Sequence, residues 1–356
     1  MAEASNLPIV LYHYVHSPYS RRLVWYLTLR QIPYKQCFQP NVLPRPDLKE
    51  KLGIAYRRIP LLSVGRDVYL DTRLIIAKLE TLFPASAAHP GLGAAADRPE
   101  HRLVEALLSR LATDGGFFLR ASQLLPPQLV AQRGSRFVRD RADLVGINMA
   151  GEVGDAASPF SAESLAARRP EAAAELRQVV ELLETTALAD GRDWLLGTPG
   201  PALADLEVVW VLQWLYRIPG ALPAEVVSKA LFPRVFSWVE RFERAVEEKR
   251  ARLDDPQTVE GDEAATIIVG APYAETEVDV DATDPVVAAE GLEKGENVKL
   301  WPTDWGYLHK DSGRLVSMDK TEYVIETGGT AGSIRVHAPR HGFKICKVGD
   351  GDAAKL

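Results

Sequence analysis

Two stretches of this sequence hold residue types that suit chemistry. One is Asp71-Thr72, an acid and a hydroxyl standing just ahead of Leu74, Ile75, Lys78 and Leu79 at helical spacing. That pattern puts both side chains at a helix N-terminus, where free N–H groups and a partial positive charge suit a carboxylate ligand. The other is Ser17-Pro18-Tyr19-Ser20-Arg21-Arg22, with Pro18 placed where a first helical turn tolerates it. Between them, Ile59-Pro60 opens two short alternating runs, Leu62/Val64 and Val68/Leu70, joined by Gly65-Arg66-Asp67. Other candidates carry less. Cys37 and Cys346 lie far apart and outside any Cys-x-x-Cys, which argues against a disulfide framework or a cysteine zinc site. His337 and His341 are four apart, but Pro339 between them forbids a regular helix, so no metal site is expected. Gly91-Leu92-Gly93 follows no strand and opens no helix, and so is no phosphate loop.

The elements that position these residues read as follows. Ile9 to Tyr14 is a continuous apolar run, the pattern of a buried parallel strand. A helix from Pro18 carries Leu23, Val24, Leu27 and Leu29 and stops before Ile32-Pro33, and Tyr34 to Phe38 makes a second strand. A Pro-rich connection, a short helix over Asp47 to Leu52, the hairpin and the Asp71-Thr72 helix complete the order βαβ then αββα, a thioredoxin-like arrangement over residues 1–84. Residues 85–100 form an Ala/Gly/Pro linker. Residues 101–252 read as all-helical: Leu103, Leu107, Leu108 and Leu111 share one face, as do Leu176, Val179, Val180 and Leu183, and Val235, Val239, Phe242 and Val246. Leu206 to Tyr216 is apolar nearly all round and belongs at a bundle centre.

Residues 253–356 read as an acidic linker and a small β-rich appendage. Strand-like pieces recur at Val298–Trp301, Arg314–Val316, Tyr323–Glu326, Ser333–His337 and Gly342–Val348, with turn signals at Asp311-Ser312-Gly313 and Gly328-Gly329. Arg335, Arg340, His341 and Lys344 form either a basic patch facing the acidic stretch or a solvated face. The fold class is therefore α/β plus all-α with a β-rich C-terminal part.

The 356 residues have 46% hydrophobic and 25% charged side chains, an ordinary globular composition. With 42 basic and 48 acidic residues the net charge is −6, which argues against general nucleic-acid binding. From Asp254 to Glu293 there are twelve acids and no lysine or arginine, so the remainder of the chain stands near +6. No apolar run approaches the ~20 residues that cross a bilayer, and Pro8-Ile9-Val10-Leu11-Tyr12 is too short for a signal core. A cytoplasmic protein without membrane contact is expected.

Ser17-Pro18-Tyr19-Ser20-Arg21-Arg22, Ile59-Pro60 and Asp71-Thr72 together resemble the glutathione-binding domain of cytosolic glutathione transferases. In that family the proline is cis, the backbone of the residue before it pairs with the cysteinyl part of glutathione, and the acid–hydroxyl pair holds the γ-glutamyl group. The resemblance thus implies Ile59 and Pro60 for the backbone pairing and Asp71 and Thr72 for the γ-glutamyl end, with Arg58 near the glycyl carboxylate. Pro201-Ala202-Leu203-Ala204-Asp205 is similar to the family's second signature, a capping box, although Ala202 stands where the hydroxyl cap belongs. The resemblance covers residues 7 to about 250, and the C-terminal part is similar to an extension on some fungal glutathione-transferase-like proteins.

The chemistry it implies is simple. Glutathione is the co-substrate, its thiolate is the nucleophile, and a hydrogen-bond donor beside a helix N-terminus favours the charged sulfur. Ser17 stands where serine-type members carry their hydroxyl; Tyr14 and Tyr12 are the rivals by analogy with tyrosine-type members, and Ser20 is another. Serine cannot form a mixed disulfide, which favours conjugation, addition or isomerisation. Phe117, Phe118 and Arg120 come from a region that lines the electrophile cleft in the family. Three readings follow: a transferase acting on a hydrophobic electrophile in fungal secondary metabolism, a non-catalytic binding or scaffold protein, and a glutathione-dependent isomerase or dehydratase. The resemblance also implies a homodimer, which the C-terminal part would block or redirect.

Overall fold

Every residue of β1 (Ile9–His13) is buried, as a central strand requires. In the computed structural model, which describes residues 6–95, 97–147 and 158–348, β1 pairs in parallel with β2 (Lys35–Phe38) and antiparallel with β3 (Leu61–Val64). The hairpin then turns through Gly65 into β4 (Asp67–Tyr69). Gly65 has φ +55°, and a Cβ there would lie 2.4 Å from the Pro272 carbonyl oxygen, so the turn requires glycine. Strand alternation divides the core. Ile9, Leu11, Leu62, Val64 and Tyr69 join the cluster containing α1 (Pro18–Leu29) and α3 (Thr72–Leu82). Val10, Tyr12, Leu61, Val68 and Leu70 join α2 (Pro46–Leu52) in the other.

The helical region comprises α4 (Pro99–Thr113), α5 (Phe117–Gln123), α6 (Pro127–Leu144), α7 (Ala162–Thr185), α8 (Leu203–Tyr216) and α9 (Pro233–Arg250). Helix α8 lies at the centre against α1, α4 and α9, with Leu206, Trp210 and Val211 fully buried. The expected inner face of α9 is buried, and so is that of α7 apart from the partly buried Val179. Helix α4 differs from expectation. Leu103 and Leu107 are 60% and 56% exposed, because the helix turns Glu105 and Ala112 inward instead. Glu105 accepts the Ala94 N–H, and Ser109 accepts from the buried Arg22, so the inner face of α4 is partly polar.

Asp205, fully buried, accepts from the backbone N–H of Leu195 (2.8 Å) and Ala202 (2.9 Å) and from Trp238 Nε1 (2.8 Å). This is one half of a capping box; Ala202 at the N-cap supplies no side-chain acceptor. Ala202→Ser is expected to restore the missing bond and raise stability by about 1 kcal/mol. A urea midpoint that stays put or falls in that variant would count against it.

The C-terminal part contains α10 (Gly261–Gly270), α11 (Pro285–Glu290) and five strands: β5 (Asn297–Pro302), β6 (Asp311–Met318), β7 (Glu322–Gly329), β8 (Gly332–Pro339) and β9 (Phe343–Lys347). These strands continue the first sheet. The order is β2-β1-β3-β4-β8-β7-β6-β5-β9, with β4 and β8 parallel and Val68 opposite Val336, Tyr69 opposite His337. At the far end of the β7–β8 hairpin, the N–H groups of Thr330 and Ala331 donate to the carbonyls of Glu50 and Lys51 (2.8 and 3.1 Å), satisfying the last turn of α2.

Asp311-Ser312-Gly313 and Gly328-Gly329, read from sequence as turns, lie inside β6 and β7. Their glycines serve close backbone approach: a Cβ on Gly313 would meet the Glu326 carbonyl at 2.5 Å, and one on Gly328 the Gly332 carbonyl at 2.7 Å. Of the four basic residues near the end, two do face the acidic stretch. Arg335 pairs with Glu277 and stacks on Tyr273, and Arg340 pairs with Asp284 at 2.9 Å. His341 turns to Asp114 instead, and Lys344 lies over Trp301. Among the described residues no helix is long and apolar enough to cross a membrane.

Candidate functional site

A cavity of about 740 Å³ opens where the C-terminal ends of β1 and the start of α3 meet the helical region. Ser17 lines it as the N-cap of α1, 3% exposed, its Oγ accepting the Ser20 N–H at 3.2 Å. A hydroxyl with one lone pair so engaged keeps its hydrogen to donate. Tyr14 also lines the cavity, with Arg141 3.5 Å from its hydroxyl. Among the described residues the buried Tyr12 and Ser20 hydroxyls have no hydrogen-bond partner, and neither residue is in the lining.

The Ile59–Pro60 peptide is cis and both residues line the same cavity, as do Asp71, Thr72 and Arg58. Asp71 caps α3 with φ +64° and ψ +128°, a conformation that non-glycine residues rarely hold and that clusters at functional sites. Its carboxylate accepts from the Arg73 backbone N–H (2.9 Å) and from the Arg73 guanidinium, which also reaches Asp114. Burial alone would raise the Asp71 pKa; Arg73, and then Arg58, hold it below its ordinary value. Thr72 Oγ1 accepts from Arg22 at 2.8 Å, which leaves its hydrogen to donate. Arg22, fully buried, is held in turn by Glu207 of α8. Arg58 lies over the Tyr56 ring and pairs with Asp304. This end of the cavity can therefore seat a peptide-like ligand with charges at its ends.

The other end is aromatic. Phe118 of α5 stands 5.5 Å from Trp214 of α8 and 6.5 Å from Trp305, and Phe160 meets Trp305 edge-on. Of the three residues expected in the cleft, only Phe118 lines it. Phe117 sits in the core, and Arg120 turns outward to Glu175.

Sequence reasoning missed the part of the wall that comes from beyond residue 300. Thr303, Asp304 and Trp305 of the β5–β6 loop, with His341 and Gly342 after β8, line the cavity. The loop is fastened on both sides. Gly306 N–H donates to the Leu144 carbonyl, His309 lies 2.8 Å from Asp143, and Asp304 holds Arg58. No local pattern marks these residues, because their place depends on β8 docking against β4.

At that docking seam, Glu275, Glu322 and His337 bring their ligand atoms within 4.8 Å of one another. The Lys78 ammonium occupies the place a cation would take, 2.5 Å from Glu275 and 2.6 Å from Glu322.

Cis-proline, helix cap and serine N-cap thus converge on one pocket. Residues 11–87 match the glutathione S-transferase N-terminal domain. Residues 120–251 match a family described only as a domain of unknown function, DUF7962. No curated protein matches the chain. Among solved structures, a GST-like protein from Pseudomonas syringae covers 96% of this chain and 99% of its own, at 22% identity and a TM-score of 0.64. The β-etherase LigF from Sphingobium sp. strain SYK-6 covers 69% and 100%, at 18% identity and a TM-score of 0.51. Both likenesses are of fold. The cavity residues from Tyr14 to Arg73 lie within the segment that matches the glutathione S-transferase N-terminal domain, while Phe137, Phe160 and Trp214 come from the matched helical segment.

Proposed function

We propose that the protein is a glutathione transferase of the serine type. The observation that carries this reading is convergence: Ser17, Ile59-Pro60 and Asp71-Thr72, separate in sequence, line one cavity whose other end is aromatic. Glutathione lies with its γ-glutamyl carboxylate at Thr72 and the α3 N-terminus and its ammonium at Asp71. Its cysteinyl backbone pairs with Ile59, and its glycyl carboxylate lies toward Arg58. Ser17 donates to the sulfur. The thiol proton passes to solvent, the sulfur lone pair forms the C–S bond, and the leaving group departs with its electron pair. The aromatic end takes a hydrophobic electrophile.

A tailoring step in fungal secondary metabolism, in the cytoplasm, is the setting that the sequence resemblance suggests. A homodimer would have to use a surface other than the outer edge of β4, which β8 occupies; α4 offers the exposed Leu103 and Leu107.

Calorimetric titration with glutathione tests the binding half. Asp71→Ala is expected to weaken glutathione at least about tenfold, the worth of one charged hydrogen bond. Wild-type protein that binds no glutathione, or a variant that binds it equally well, would overturn the placement.

A further inference from the structure

The aromatic end of the cavity carries an unbalanced charge. Arg21 and Arg217 both line it. Arg217 pairs with Glu243 at 2.8 Å. Arg21 reaches only the Gln213 amide oxygen, at 2.5 Å, and no carboxylate of the described residues lies within ion-pair distance of it. Gln213 in turn donates to the same Glu243, so two guanidinium groups share one carboxylate. Burial, and then the neighbouring Arg217, push the Arg21 pKa below its ordinary value against the pull of the shared Glu243.

Helix geometry places this charge beside the reaction centre. Ser17 and Arg21 are one turn apart on α1, with the Arg21 N–H donating to the Ser17 carbonyl, a rise of about 6 Å. Trp214 and Arg217, three apart, share a face of α8, and Trp214 is ranged with Phe118 and Trp305. An aromatic wall and an anion-seeking guanidinium therefore line the same cavity as the proposed thiol donor.

We propose that the electrophile is an aromatic carboxylate, its ring against Trp214, Phe118 and Trp305 and its carboxylate on Arg21. This deepens the transferase reading and rests on it for the identity of the ligand as the electrophile. The balance of the reaction is unchanged: sulfur attacks the ring carbon or its activated substituent, and the leaving group takes the bond pair.

Two arms test it. The first needs no turnover: quenching of tryptophan fluorescence by 1-naphthoate is compared with quenching by its methyl ester, in wild type, Arg21→Met and Arg21→Lys. The acid is expected to bind about tenfold more tightly than the ester. Arg21→Met should erase that preference, and Arg21→Lys should keep most of it. The second measures kcat/KM with glutathione for 4-chloro-3-nitrobenzoate and its methyl ester, where chloride leaves as the C–S bond forms, and expects the same pattern. Equal binding of acid and ester by wild type, a comparison independent of whether any variant folds, would overturn the proposal. So would an Arg21→Met variant that keeps the preference. An acid preference in binding without turnover of either chloride would sink the transferase reading and leave the aromatic-anion site standing.

Discussion

Ser17→Ala is expected to lower kcat/KM for conjugation by about two to three orders of magnitude, the cost of removing one donor from a developing anion. Glutathione affinity should change by less than about threefold, because the γ-glutamyl and cysteinyl contacts lie elsewhere on the ligand. The reason is local. Ser17 spends a lone pair on the Ser20 N–H, which restrains its rotamer and leaves its hydrogen to donate into the cavity it lines. The positive end of α1 adds to the same effect, since both favour thiolate over thiol. Thiolate absorbance of the bound complex reads this directly: its titration should move upward in the variant.

Two controls separate donor from packing. Ser20→Ala removes a hydroxyl that has no partner among the described residues and does not line the cavity, so turnover should hold within about twofold. Tyr14→Phe tests the rival that does line the pocket. If Ser17→Ala left the thiolate titration in place while Tyr14→Phe displaced it, the assignment would pass to Tyr14.

What the sequence disclosed and what it hid divide along contact range. The β1 run, the Pro18 helix start, the hairpin and the Asp71 cap are specified by neighbours a few residues apart, and each was legible. The Ser17–Pro60–Asp71 convergence was legible only through resemblance, because strand pairing brings those residues together. The C-terminal strands announced themselves by alternation, but alternation does not say which sheet edge a strand will join. Hence Asp304 and Trp305 could not be placed in the cavity wall, nor His341 beside Asp114. One hint was available in hindsight: Asp67 and His337 are polar residues inside apolar strand patterns, and such residues need partners when buried. The partner of each proved to be the other.

That pair also decides how firmly the cavity wall is held. His337, 2% exposed, lies 3.0 Å from Asp67 and 3.1 Å from Glu322, while Asp67 accepts the N–H groups of Ala274 and Glu275 through its other oxygen. Lys78 completes the group by bridging Glu275 and Glu322. Burial by itself would lower the imidazole pKa, but the hydrogen bonds to the two carboxylates outweigh it and raise it to about 9. A group whose pKa is higher folded than unfolded stabilises the fold fully below the unfolded value, near 6.5, and loses that contribution as pH rises through the folded value. Glu322 works in the opposite sense: burial opposes its ionisation, yet His337 and Lys78 lower its pKa, so its contribution is present above about 4.5 and fades in acid. Stability should therefore fall by roughly 3 kcal/mol between pH 6.5 and 9, from the His337 shift at about 1.4 kcal/mol per pH unit. His337→Ala should cost about 3–5 kcal/mol at pH 6, since it leaves the buried Asp67 carboxylate without its counter-charge, and its alkaline slope should flatten. Denaturant titrations of both proteins across that range decide the matter. A wild type whose stability is level from pH 6.5 to 9, or a variant with an undiminished slope, would show that His337 is neutral at the seam. The C-terminal strands would then owe their hold on β4, and Trp305 its place in the pocket, to the β4–β8 ladder, the Lys78 bridge and apolar packing, without a charge on His337.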